Sequence, residues 1–195
     1  MSGSGGSMTI IADNIQTPVW MDTNLQWNPK FWKSLKAKTL MRLNPHWHLD
    51  KKTEAGTPVE DMLVDKKFLS EPILSFEQNI FKADFPETGL SISARMDDNG
   101  GSTSLRYDFT PVADSKFTTE DAQKTVQYWL PSLREYYRLH QSNSVKHRFW
   151  RFFMDKIMLT MNPTQRRICS FMFKLTMLEI LFVTALIIGW HFYGG

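Results

Sequence analysis

The chain has 195 residues, of which 42% are apolar and 22% are charged, a composition typical of a folded protein rather than a disordered one. Its mean hydropathy of −0.33 excludes a polytopic membrane protein, and its net charge of +3 is too small to indicate nucleic-acid binding. A single cysteine excludes internal disulfides and a zinc site made of cysteines. These averages conceal an uneven distribution of charge and apolar residues along the chain.

The N-terminal part of the chain has the weakest signals. Residues 1–12 are predicted to be a flexible N-terminus, because they are Gly/Ser-rich and contain no apolar core of a signal peptide. Residues 13–140 are predicted to form one cytoplasmic α+β domain. Apolar spacing within residues 31–43 predicts a short helix. We interpret His46-Trp47-His48 as a surface loop and predict no metal site, because two imidazoles without a third ligand are insufficient.

Residues 60–112 are predicted to form an antiparallel meander of at least four strands. Its clearest part is a hairpin, in which apolar and polar residues alternate on both sides of Asp98-Asn99-Gly100-Gly101. Asn-Gly between two alternating runs is the strongest short-range signal for a hairpin turn. Residues 60–69 and 73–81 are weaker strand candidates. One apolar face on each strand is typical of a sheet that covers a core on one side.

A long helix is predicted after the strands. Thr118 or Thr119 can cap its N-terminus, with Asp121 in the capping-box position. A broad apolar face follows, and it includes several tryptophan and tyrosine residues. Pro131 lies inside this helix and predicts a kink or a restart there.

The segments GLSISARMDDNGGSTSLRYDFTPV and WLPSLREYYRL carry a family resemblance. A sheet that ends in this hairpin, followed by this helix, resembles the C-terminal half of a START-like (SRPBCC, helix-grip) domain over about residues 60–140. The resemblance implies a curved sheet wrapped around the final helix and an apolar cavity for lipids, quinones or polyketides. It assigns no ligand-binding residue. The predicted fold is therefore α+β, with an antiparallel meander on a long helix, followed by an interfacial amphipathic helix and a C-terminal transmembrane helix.

A basic segment over residues 141–167 is predicted to lie on the membrane surface. Residues 134–167 contain eight basic and two acidic residues, a net charge of +6, whereas residues 1–133 have a net charge of −3. Aromatic residues beside lysine and arginine are typical of helices that lie flat on a bilayer. The alternative is a helix packed on the domain itself. The predicted membrane-surface residues are Lys146, Arg148, Phe149, Trp150, Arg151, Phe152, Phe153, Lys156, Arg166 and Arg167.

Residues 168–195 are predicted to be a transmembrane anchor. The apolar residues 171–193 would span about 34 Å as a helix at ~1.5 Å per residue, enough for a hydrocarbon core of roughly 30 Å. Pro163 can open this helix, with Asn162 as its cap. The basic residues precede the span, so the positive-inside rule predicts a single-pass, tail-anchored protein whose body is cytoplasmic.

Two ionisable residues interrupt the predicted span. Lys174 lies near its cytoplasmic end and can extend to the headgroups. Glu179 would lie deeper, where an unpaired carboxylate is costly, so Glu179 and Lys174 are the predicted contacts with a partner transmembrane helix. Alternatively, the span is shorter and leaves Glu179 at the interface.

Two functional hypotheses follow. The P-loop, GxGxxG, GxSxG and HExxH motifs do not occur, so we predict no catalytic residue and no cofactor, and enzymatic activity is the least favoured reading. The first hypothesis is a membrane-anchored module that binds or presents an apolar small molecule. The second is an accessory or assembly subunit whose partners are integral membrane proteins. Both predict the lipid bilayer as a partner, and neither involves nucleic acid.

Overall fold

The computed structural model describes residues 20–97, 101–113, 115, 117–142 and 144–193, a part of the chain with eight strands and five α-helices. The strands are β1 (Met21–Gln26), β2 (Trp47–Leu49), β3 (Thr57–Asp61), β4 (Lys66–Ser70), β5 (Ile73–Glu77), β6 (Ile80–Phe85), β7 (Leu90–Met96) and β8 (Ser102–Phe109). The helices are α1 (Pro29–Ser34), α2 (Ala37–Leu43), α3 (Thr119–Gln141), α4 (Val145–Lys156) and α5 (Pro163–Tyr193), and a 3₁₀ turn covers Met158–Thr160. The predicted flexible N-terminus lies outside the described residues.

The strands form two antiparallel sheets, which confirms the predicted α+β class. The larger sheet has the order β1-β8-β7-β6-β5, and the smaller one has the order β2-β3-β4. β4 is separated from β5 by Glu71 and Pro72 alone. Because proline has no N–H group for a strand ladder, the hydrogen-bonded pairing is interrupted there, and the chain passes from the small sheet to the large one.

The β7–β8 hairpin is confirmed. Its register pairs Leu90 with Phe109 and Met96 with Thr103. The predicted turn residues 98–100 lie outside the described residues. Of the apolar face predicted for β7, Leu90, Ile92 and Ala94 are buried, whereas Met96 at the end of the strand is 46% exposed.

Each of the two weaker strand candidates contains a hairpin instead of one strand. Residues 60–69 comprise the end of β3, a turn and most of β4, and Asp65 in that turn has a φ of 52°. Residues 73–81 are divided by Gln78 and Asn79, whose φ angles are 49° and 61°. Two successive left-handed residues form the turn that suits a two-residue hairpin. Glutamine is not a typical turn residue, so the pattern gave little sign of this break.

The predicted helix over residues 31–43 is divided into α1 and α2. The Asn28 side chain caps α1 by accepting a hydrogen bond from the Phe31 N–H at 3.4 Å, and Pro29 occupies the first turn. Leu35 and Lys36 have extended backbones, which end α1 before α2 begins. The chain therefore has a strand and two short helices before its main run of strands.

The prediction of a surface loop at His46-Trp47-His48 is wrong, because Trp47 belongs to β2 and is completely buried. Its Nε1 donates a hydrogen bond of 2.8 Å to the carboxylate of Asp61 in β3. Asp61 is also fully buried and accepts a hydrogen bond of 2.9 Å from the Thr125 hydroxyl of α3. This segment thus connects the small sheet to α3.

Aromatic rings fill the space between the large sheet and α3. Thr118 and Asp121 form the predicted capping box of α3. The helix continues through Pro131 as one element, without the predicted restart. Trp129 and Tyr137 project from α3 into the core and are at most 1% exposed. The other fully buried rings in this core are those of Trp32, Trp47, Phe81 and Phe85.

Candidate functional site

A groove of about 1050 Å³ lies where the second half of α3, α4 and the first turns of α5 come together, and we call it the α3–α5 groove. The end of α2 and the residues before β2 contribute to one side. Most of its wall is apolar, which is typical of ligand sites. The apolar side chains that line it are those of Leu43, Pro45, Pro131, Leu139, Trp150, Met154, Met158, Leu159, Pro163 and Phe171.

One side of α4 faces the groove. Ser144 caps this helix by accepting a hydrogen bond from the His147 N–H at 3.3 Å. Trp150 and Met154 line the groove. The Trp150 ring also contacts Phe173 of α5, with 6.1 Å between ring centroids and nearly perpendicular planes. These contacts place α4 between α3 and α5.

The opposite side of α4 carries an exposed apolar stripe. Val145, Phe149 and Phe152 are 82%, 60% and 59% exposed, and their spacing puts them on one helix face. Exposed Arg148 and Lys156 belong to the same helix. No described residue covers this stripe, so α4 is packed on the domain with one apolar side and presents a second apolar side outward.

Three hydrogen bonds and one buried leucine hold α4 and α5 on the domain. The Tyr136 hydroxyl of α3 donates a hydrogen bond of 2.8 Å to Asp155 of α4. Burial, and then this hydrogen bond, raise the pKa of Tyr136, which therefore remains a neutral donor. Leu159 enters the core at 6% exposure, and its carbonyl accepts a hydrogen bond of 2.6 Å from Arg42 Nη1. Arg166 Nη1 in turn donates a hydrogen bond of 2.6 Å to the carbonyl of Arg42.

The start of α5 is confirmed at Pro163. Asn162 caps the helix by accepting a hydrogen bond from the Gln165 N–H at 2.8 Å. Residues three and four positions apart on a helix lie on the same face. The residues of α5 that line the groove have this spacing and therefore form one face of the helix. They are Pro163, Arg166, Arg167, Ser170, Phe171 and Lys174.

The groove carries a large excess of positive charge. Its basic side chains are Arg42, Arg138, Lys146, Arg166, Arg167 and Lys174. The acidic side chain in its lining is Glu135, which pairs with Arg138 at 2.8 Å. Arg167 Nη2 lies 3.2 Å from His46 Nδ1, and because a guanidinium can only donate, His46 must be the acceptor. Burial, and then the charge of Arg167, lower the pKa of His46, which favours this neutral form.

The predicted membrane-surface residues divide between the groove and the outer side of α4. Lys146, Trp150, Arg166 and Arg167 line the groove. Arg148, Phe149, Phe152 and Lys156 are exposed away from it, while Arg151 and Phe153 are half-buried. The sequence pattern does not indicate Arg42 and His46 as part of the site. Arg42 contacts Arg166, which is 124 positions further along the chain, and His46 contacts Arg167, which is 121 positions further along. No local spacing in the sequence links positions so far apart.

Helix α5 has the length and composition of a membrane span. The candidate span covers Pro163–Phe192, 30 residues, and none of its most apolar window is buried against the rest of the described protein. A core helix of a soluble domain would be mostly buried. Lys174 lies in the groove, near the start of the apolar part of the helix, and Glu179 is exposed.

Comparison with protein-family models, with curated proteins and with solved structures gives no match to this chain. In the described residues, no group of three or more His, Cys, Asp or Glu side chains is placed to hold a metal ion. The fold and the site therefore define an α+β domain joined to a helix of membrane-spanning length, with a basic, apolar-walled groove at the junction.

Proposed function

We propose that the protein is a membrane-anchored module whose cytoplasmic domain has a START-like (helix-grip) fold and binds or presents an apolar ligand, such as a lipid or a quinone. In this proposal the described chain crosses the membrane once, through α5. The basic segment of residues 141–167 then lies at the cytoplasmic surface, as positive flanks do. The apolar stripe of α4 enters the headgroup region, where aromatic and basic side chains together are favoured.

The order of elements supports a START-like fold. That family begins with a strand and two short helices, and β1, α1 and α2 occur here in that order. An antiparallel run of strands follows, and β1 pairs with the last strand, β8. The long α3 then packs on the sheet through buried aromatic rings. The order of elements in the N-terminal third is thus consistent with the fold proposed from residues 60–140.

The observation that carries the ligand proposal is the α3–α5 groove. The family resemblance implies a cavity between the sheet and the final helix, but Trp32, Trp129 and Tyr137 occupy that space. The groove lies on the other side of α3, beside the first turns of the candidate span. A molecule could therefore enter it from the bilayer without crossing the core.

Native mass spectrometry of the full chain, gently released from membranes, tests this proposal. We expect a retained lipid or quinone. Trp150→Asp should abolish its retention, because Trp150 lines the groove. Ile73→Asp is the matched control, since Ile73 is 61% exposed on β5, outside the groove, and its replacement should leave the ligand bound. A wild-type protein without bound ligand, or equal loss in both variants, would contradict the proposal.

A second candidate function, an accessory subunit of a membrane complex, is favoured by Glu179. This carboxylate is exposed on an apolar helix that no described residue covers. In a membrane it would be stabilised by a polar group on another transmembrane helix. We expect Glu179→Leu to abolish stoichiometric co-purification of integral membrane proteins in mild detergent. A wild-type protein that purifies alone under these conditions would contradict this second function.

A further inference from the structure

The α3–α5 groove is lined by three arginine side chains without acidic partners. Arg42 belongs to α2, whereas Arg166 and Arg167 belong to the first turns of α5, and all three line the groove. In the described part of the chain, none of the three forms an ion pair with a carboxylate. Like charges that are held together in this way favour binding of an anion.

The hydrogen bonds of these arginines leave donors unused. Arg166 uses Nε for the Met161 carbonyl and Nη1 for the Arg42 carbonyl. Arg42 uses Nη1 for the Leu159 carbonyl. A guanidinium has five N–H donors, so both side chains are fixed by the backbone and still have N–H groups available. Arginine with free donors in fixed geometry is the preferred partner of phosphate, which it can bind through two parallel hydrogen bonds.

The apolar wall continues from this cluster toward the bilayer. Along α5, the groove-lining residues extend from Arg167 to Lys174, about 10 Å at helical rise. Trp150, Met154 and Phe171 provide apolar surface over the same stretch. A molecule that fits both parts has a phosphate at one end and hydrocarbon at the other.

We infer that the α3–α5 groove binds an anionic phospholipid, with its phosphate on Arg42, Arg166 and Arg167 and its acyl chains along Trp150, Met154 and Phe171. This inference rests on the proposed function and specifies its ligand class. The charge excess selects an anionic lipid over a zwitterionic one, because the acidic side chain in the lining, Glu135, is already paired with an arginine.

The test uses the full chain in nanodiscs made of phosphatidylcholine alone or of phosphatidylcholine mixed with phosphatidylglycerol, with retained lipids counted by native mass spectrometry. The variant Arg167→Gln, Lys146→Gln removes two groove charges that make no backbone hydrogen bond. Its matched control is Lys30→Gln, Lys51→Gln, which removes two exposed charges of the domain outside the groove. We expect retained phosphatidylglycerol to fall roughly 10- to 30-fold in the first variant and to remain unchanged in the control.

The outcomes distinguish a failure of the anionic-lipid inference from a failure of the proposed function. Retention of phosphatidylcholine as strong as that of phosphatidylglycerol, unaffected by the groove variant, overturns the anionic-lipid inference and leaves an apolar-ligand function in place. Displacement of the lipid by inorganic phosphate identifies the cluster as a site for free phosphate and also overturns it. An absence of any retained lipid overturns both. The thermal unfolding midpoints of the two variants must match. If the groove variant unfolds earlier, Lys146→Gln alone replaces it, and this variant should still lower the retained phosphatidylglycerol.

Discussion

Replacing Leu159 by alanine should weaken the attachment of α4 and α5 to the domain. Leu159 is 6% exposed and belongs to the 3₁₀ turn that joins the two helices. A buried leucine replaced by alanine costs about 2–5 kcal/mol of unfolding free energy. We expect about 2–3 kcal/mol here, because Leu159 also lines the groove and is not enclosed on every side. The hydrogen bond from Arg42 is retained, since it uses the backbone carbonyl of residue 159.

The assay is equilibrium denaturation of the full chain in detergent, followed by the near-ultraviolet circular dichroism of its aromatic core. Leu69→Ala is the matched control, because Leu69 is 41% exposed and its replacement should cost less than about 0.5 kcal/mol. If the two variants lose the same stability, Leu159 is not part of the core. The placement of α4 and α5, and therefore the groove between them, would then be refuted.

Three further changes probe the groove and its surroundings. Tyr136→Phe removes the hydrogen bond to exposed Asp155 and should lower the unfolding free energy by about 1 kcal/mol, measured by denaturation; no loss would mean that this bond does not fix α4. The pKa of His46 is lowered in the folded chain, so its contribution to stability is fully present above the ordinary value of 6.5 and is lost as the pH falls through the lowered pKa. Arg167→Gln should raise the pKa of His46 in an NMR titration, and an unchanged pKa would contradict their contact. Phe149→Ser should speed amide hydrogen exchange over α4 in nanodiscs, whereas unchanged exchange would show that the exposed stripe does not enter the bilayer.

Each of these changes has a matched control in the chain. Tyr128 is 44% exposed, so Tyr128→Phe should leave stability nearly unchanged. Arg148→Gln removes an exposed charge of α4 and should not move the pKa of His46. Met62 is 45% exposed on the small sheet, and Met62→Ser should not affect exchange in α4.

The elements with local signals could be predicted from the sequence. The β7–β8 hairpin follows from strict alternation on both sides of a turn, and the α3 capping box follows from Thr118 and Asp121 three positions apart. The start of α5 follows from Asn162 and Pro163. In each case the interacting residues are close in sequence, so the pattern contains the necessary information.

The groove could not be predicted, because distant residues build it. Arg42 and Arg166 are 124 positions apart, and the intervening chain gives no sign that their backbones meet. Trp47 shows the same limit: its burial depends on Asp61 and α3, whereas its flanking histidines suggest an exposed loop. The hairpin at Gln78 cannot be predicted for a different reason, since glutamine rarely adopts the left-handed backbone found there.

Sidedness labelling in sealed vesicles, with the cytoplasmic surface outward, tests the membrane-anchored placement most directly. In a Cys169→Ser background, Glu54→Cys marks an exposed position on the domain, and His191→Cys marks the far end of α5. We expect a membrane-impermeant maleimide to label position 54 in intact vesicles, and to label position 191 only after the vesicles are permeabilised with detergent. Labelling of both positions in intact vesicles would contradict a span through α5.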